Sequence, residues 1–97
     1  MDSPGDILKV IDGKSYSTKT SILIARGYMH QRNREQMDRT IFIYRTKEGD
    51  FFKVLVAHHP VEYKDIERIS ELEAINLFGM LTERIVDLEE AFPISNS

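Results

Sequence analysis

The strongest pattern in the chain lies at its centre. Thr40 to Thr46 and Phe51 to Val56 are β-branched and aromatic runs joined by Lys47-Glu48-Gly49-Asp50, where Gly49 can supply the positive φ that a tight reversal needs. The spacing predicts an antiparallel hairpin over 40–56. On its first strand Phe42 and Tyr44 point one way and Ile41 and Ile43 the other, while on its second Phe52, Val54 and Val56 oppose Phe51 and Leu55. Both faces are apolar. Helices can cover one of them, so the other must be covered by loops or termini, or else left as an apolar patch open to a partner.

Upstream, Ile7 to Ile11 ends at the turn dipeptide Asp12-Gly13 and reads as a first strand that doubles back toward Tyr16. Ser17 or Thr18 then caps a helix whose apolar positions Ile22, Leu23 and Ala25, with Ile24 as a further candidate, lead to Gly27, a natural terminator. A strand competes for this run because it is rich in isoleucine. Met29 to Asp38 has no apolar period and reads as a mobile loop, 29–38.

Downstream of His58-His59-Pro60, a short segment around Ile66 to Ile69 adds an edge strand. Ser70-Glu71-Leu72-Glu73 has capping-box spacing, a helix start with a mechanism. Leu72, Ile75, Leu77, Phe78 and Leu81 form the buried stripe, and Ile85 and Leu88 continue an apolar face beyond Gly79. A glycine inside a helix costs about 1 kcal/mol against alanine, so a kink is expected there, or two consecutive helices with Thr82 capping the second. Phe92 is expected to pack as an anchor, and Pro93 stops the helix. The expected fold class is therefore α+β, a single domain over 1–97 with flexible tails at 1–6 and 94–97. In it a small antiparallel sheet centred on the 40–56 hairpin packs with one short N-terminal helix and one kinked or two consecutive C-terminal helices.

Composition narrows the function classes. Ninety-seven residues, 41% hydrophobic and 30% charged, suit one small globular domain. The longest apolar run, Ile22 to Ala25, is far short of a membrane span, and Met1 to Asp6 lacks the basic and apolar regions of a signal peptide. A cytoplasmic protein with no membrane partner is expected. The absence of cysteine removes disulfides, thiol nucleophiles and thiolate metal sites.

The formal charge of -3 hides a division along the chain. From Lys14 to Lys47 eight cations face two anions, a net +6; from Glu62 to Glu90 nine anions face three cations, a net -6. Either the two segments pack together with their charges solvated at the rim, or one of the charged surfaces meets a partner.

No catalytic set emerges. Adjacent His58 and His59 point to opposite faces of an extended chain, and His30, Glu62 and Asp65 join them only through the fold, so no metal site or cofactor is expected. Glu71 with Glu73, and Glu89 with Glu90, are spaced so that they do not share a helix face. Gly5, Gly13, Gly27, Gly49 and Gly79 stand too far apart for a phosphate loop. Enzyme activity is not expected. Arg32, Arg34 and Arg39, near Tyr28 and His30, suit phosphate pairing and base stacking, against which stands a pI near 5.6. The expected partner contacts are Phe42, Tyr44 and these arginines, with Glu83, Asp87 and Glu90 if the acidic surface is used instead.

A set of landmarks spans nearly the whole chain: Lys9-Val10-Ile11-Asp12-Gly13-Lys14-Ser15-Tyr16, Thr18 and Thr20 before Ile24-Ala25, Ile43 through Phe52, Ile69-Ser70 with Glu73-Ala74, and Glu90-Ala91-Phe92. Their order resembles a group of small α+β proteins carried by bacterial mobile elements and phages. The resemblance implies a protein that binds and blocks host machinery, including defence nucleases, and it brings no catalytic residues. The function expected is a non-catalytic protein-binding module, an anti-CRISPR-like inhibitor of a host nucleic-acid-targeting defence complex. Two alternatives stand beside it: a nucleic-acid-binding accessory or regulatory protein using the basic 26–45 region, and a homodimeric structural protein.

Overall fold

The central hairpin forms as its sequence predicts. In the computed structural model, which describes residues 4–29, 39–57, 63–81 and 83–93, strand β4 (Arg39–Arg45) pairs with β5 (Phe51–Ala57), closing at Arg45 opposite Phe51. The Gly49 amide donates to Thr46 O at 3.0 Å with Gly49 at φ +90°, and the Thr46 amide donates back to Asp50 O at 2.8 Å. The two apolar faces are those expected. Ile41, Ile43 and Phe51 join one buried cluster with Leu55 at its margin, and Phe42, Tyr44, Phe52, Val54 and Val56 join the other.

The surrounding architecture is mostly β, which corrects the expected α+β class. Strands β3 (Ile22–Met29), β6 (Tyr63–Ile69) and β7 (Glu83–Arg84) complete a five-stranded antiparallel sheet in the order β6-β5-β4-β3-β7. A separate two-stranded sheet, β1 (Leu8–Ile11) and β2 (Lys14–Ser17), turns through Asp12 at φ +53° and Gly13 at φ +78°. Residues 22–29 are therefore a strand, the competing reading, and not an N-terminal helix. The register moves from Leu23 opposite Tyr44 to Ala25 opposite Ile43, so Ile24 is the extra residue of a β-bulge. The bulge lets Leu23 face the aromatic cluster while Ile24 and Ala25 both enter the opposite one.

The C-terminal part also departs from expectation. Helix α1 (Glu71–Met80) runs through Gly79 and stops at Leu81; two-residue β7 follows, then the single-turn helix α2 (Leu88–Ala91). A single helix includes Gly79, and β7 separates it from α2, so the helices do not follow one another directly. Ser70 caps α1 as predicted, its hydroxyl accepting from the Glu73 amide at 3.1 Å, but the Glu73 carboxylate turns to Lys53 Nζ at 3.3 Å. The buried residues of α1 are Ala74 and Phe78, which lie over β3, β4 and β5. Phe92 packs as expected, against Phe51 at 5.1 Å and Phe78 at 5.5 Å between ring centroids.

The other face is closed by the N-terminal segment. Tyr16 of β2 meets Phe52 edge-on at 5.7 Å, and Phe52 in turn stacks on Tyr44 at 5.2 Å. Thr18 holds this strap in place: its hydroxyl donates to Gly5 O at 2.8 Å and accepts from the Ile7 amide at 2.9 Å. Lys64 Nζ donates to Pro4 O at 2.9 Å, and Lys9 Nζ reaches Asp65 at 2.8 Å and Ile66 O at 3.2 Å on the edge strand β6. Both faces of the hairpin are thus covered from within the chain. The connection beyond Met29 to Asp38, the 94–97 tail and Thr82 lie outside the described residues.

Burial pushes the Tyr44 phenol up to about 12, with the Asp6 carboxylate adding to the effect. The folded chain therefore holds this proton more tightly than the unfolded one, whose tyrosine titrates near 10. Stability linked to Tyr44 is complete below about pH 10 and is lost as pH rises toward 12, a decline of about 2–3 kcal/mol. Urea midpoints measured at about pH 9 and about pH 11.5 should differ more for the wild type than for Tyr44→Phe. Equal differences would show that Tyr44 does not carry the alkaline loss.

Candidate protein-binding groove

The expected contact residues are distributed unevenly. Phe42 is fully buried and Tyr44 is 4% exposed, so a partner meeting the folded domain touches neither. Arg32 and Arg34 lie outside the described residues, as do His30, His58 and His59; Arg39 begins β4, and its side chain is not described. Glu83, Asp87 and Glu90 are exposed, close together in sequence at the C-terminal end. Glu83 is engaged: its carboxylate meets Arg26 Nε at 2.6 Å across β3 and β7. That ion pair joins the basic segment to the acidic one, as in the reading where the two segments pack together.

Other charges are also taken up internally. Lys53 lies 3.6 Å from Glu67 and 3.3 Å from Glu73, Lys14 bonds Asp50, and Arg68 stands 3.8 Å from Asp12. The cleft of about 520 Å³ beside the 47–50 turn is lined by several of these groups, Asp50, Arg68, Ser70 and Glu73, each already used in the fold. Asp87, Glu89 and Glu90 have no basic partner among the described residues.

A second groove, of about 540 Å³, runs between α1 and residues 84–88. Helix periodicity explains one wall. With Ala74 and Phe78 turned to the sheet, Leu72, Ile75 and Gly79 fall at i, i+3 and i+7 on a neighbouring, exposed stripe. The other wall follows from β7. Pairing of Glu83 and Arg84 with β3, extended by the Ile85 amide donating to Ile24 O at 2.9 Å, lets Val86 pack against the core and leaves Ile85 and Leu88 outside. Three of the nine large apolar side chains exposed among the described residues, Ile75, Ile85 and Leu88, line this groove, an apolar grouping of the kind that meets a partner.

Arg84 is the cation of the groove, and its donors serve the fold. Nε donates to Phe78 O at 3.2 Å and Nη2 to Gly79 O at 3.2 Å, satisfying carbonyls at the end of α1, while the guanidinium lies 5.6 Å from the Phe78 ring centroid. Asp87 lines the groove, and Glu89 and Glu90 are exposed on α2 beside Leu88. The lining is mostly apolar, with one anion, Asp87, and one cation, Arg84, and two further carboxylates follow Leu88 in α2. Sequence periodicity placed Ile85 and Leu88 on a buried helix face; the short strand between the helices turns them outward instead.

Among the described residues no group of three or more histidines, aspartates or glutamates is placed to hold a metal ion, and no helix is long and apolar enough to cross a membrane. Comparison with protein-family models, with curated proteins and with solved structures gives no match for the chain.

Proposed function

We propose that this domain is a non-catalytic protein-binding module whose groove between α1 and 84–88 seats a basic, apolar-faced segment of another protein. The observation that carries the reading is the exposed apolar lining, Ile75, Ile85 and Leu88, beside carboxylates that have no basic partner among the described residues, Asp87, Glu89 and Glu90. Apolar contact would supply affinity, and the carboxylates would favour a cationic partner and speed its approach. In its narrower form the partner belongs to a host nucleic-acid-targeting complex, which the resemblance to mobile-element proteins suggests. Proteins that hold nucleic acid present cationic surfaces, and these suit such carboxylates. Binding through the 26–45 region is less favoured, since Arg26 is bonded to Glu83 and Arg45 has its Nε buried.

The test is affinity capture from the native host with the wild type and with an Ile85→Lys, Leu88→Lys double variant. Both side chains are exposed, so the variant should fold. A stoichiometric protein partner recovered by the wild type should be lost by the double variant and retained by a Leu8→Lys, Val10→Lys control, which alters the exposed apolar pair on β1. Recovery of no protein, with free DNA or RNA bound at a steep salt slope, would overturn the proposal.

A further inference from the structure

Gly79 lines the groove, and among the described residues nothing requires a glycine there. Its φ is not in the left-handed region, it is the next-to-last residue of α1 and not the terminating one, and a Cβ built on it meets no described atom within 4 Å beyond its chain neighbours and its own helix backbone. The Arg84 guanidinium, which bonds the Gly79 carbonyl, is therefore no obstacle to a side chain. A glycine in the last turn of a helix, with open space above it, leaves room for another molecule's atoms to come close to the backbone. Resting on the proposed function, we infer that the occupant of the groove is an amphipathic helix with basic flanks, one apolar side chain of which sits over Gly79 between Ile75 and Leu88.

The form of the occupant follows from the two walls. The α1 stripe at i, i+3 and i+7 is the surface on which a second helix packs its own ridges, and the missing side chain lets the two axes approach. A strand has less to hold: β7, the nearest edge, is two residues long. Cationic flanks answer Asp87, Glu89 and Glu90, since Arg84 is the only cation lining the groove among the described residues.

A model peptide tests this directly. It has about 18 residues, with leucine at the apolar helical positions, lysine elsewhere and a single tryptophan among the leucines. The chain itself has no tryptophan, so indole fluorescence reports the peptide alone. The wild type should bind the peptide more weakly as salt rises, and should bind a scrambled peptide of the same composition at least roughly tenfold less well. Gly79→Ala should raise Tm by roughly 3–6 °C while weakening the peptide, and Gly79→Leu should weaken it by roughly tenfold or more.

If Gly79→Ala and Gly79→Leu leave peptide affinity unchanged while Leu88→Lys abolishes it, the role of Gly79 falls and the groove stands. If the wild type does not discriminate the amphipathic peptide from the scrambled one, the helical occupant falls, and the host capture experiment alone then decides the groove. A drop in Tm for Gly79→Ala would show that the glycine serves the fold. A dimer in solution that Gly79→Leu dissociates would make the occupant a second copy and overturn the inference.

Discussion

Phe52→Ala is expected to remove about 3–5 kcal/mol, the range for truncating a large buried aromatic, from a domain whose whole stability is of order 5–15 kcal/mol. Phe52 is fully buried at the contact between the main sheet and the N-terminal strap, edge-on to Tyr16 and stacked on Tyr44. Its removal loses the buried area, both ring contacts and the fit between the two layers. Chemical denaturation should show a large fall in midpoint at nearly unchanged slope. A loss below about 1 kcal/mol would mean that the strap can close over the vacancy, and that this face is not a packed core.

Thr18→Val should cost about 2–4 kcal/mol although it replaces one side chain by another of the same shape. The hydroxyl both donates to Gly5 O and accepts from the Ile7 amide, so valine leaves two backbone groups facing a methyl group at a site where Thr18 is 9% exposed. The effect should also be local. Amide hydrogen exchange in β1 and β2 should rise more than in β4 and β5, because the strap loses its fastening while the sheet keeps its own. Thr18→Ser should restore most of the protection. A uniform rise across the sheet would argue that the strap and the sheet unfold as one unit.

Thr18 shows why residues 17–27 have the local signals of a helix and yet lead into a strand. A threonine ahead of an apolar run with glycine at its end has the form of a helix cap, a stripe and a terminator; here the hydroxyl reaches back to residues 5 and 7, eleven or more positions upstream. The bulge at Ile24 then removes the alternation that would have marked a strand, since Leu23, Ile24 and Ala25 are apolar in succession and serve two faces. The 40–56 hairpin was legible because its signals are local: turn glycine, β-branched runs and a side-chain period that the register preserves. The Ser70 cap and edge strand β6 were legible for the same reason.

The candidate groove was hidden by a long-range effect. Nothing local to Ile85 or Leu88 announces that residues 83 and 84 will pair with β3, almost sixty positions earlier in the chain, and it is this pairing that breaks the helical continuation and exposes them. Charge alone points to Glu83, Asp87 and Glu90 as candidate contacts and carries no sign of the apolar lining beside them. Phe42 and Tyr44 suit partner contacts only where one face of the hairpin stays uncovered, and the terminal strap covers it.

The order β6-β5-β4-β3 runs through strands that are consecutive in the chain, each joined to its neighbour by antiparallel pairing. Such a meander can zip from the 46–50 turn outward, one short closure at a time. The two elements that complete the structure, β7 against β3 and the strap against β6, instead close across most of the chain, as Arg26 to Glu83 and Lys9 to Asp65 record. Closure entropy therefore favours early pairing of the meander and later docking of the chain's two ends. The meander can serve as the folding nucleus, and the chain's two ends arrive on it afterwards, so the surface proposed for binding takes shape in the last steps of folding.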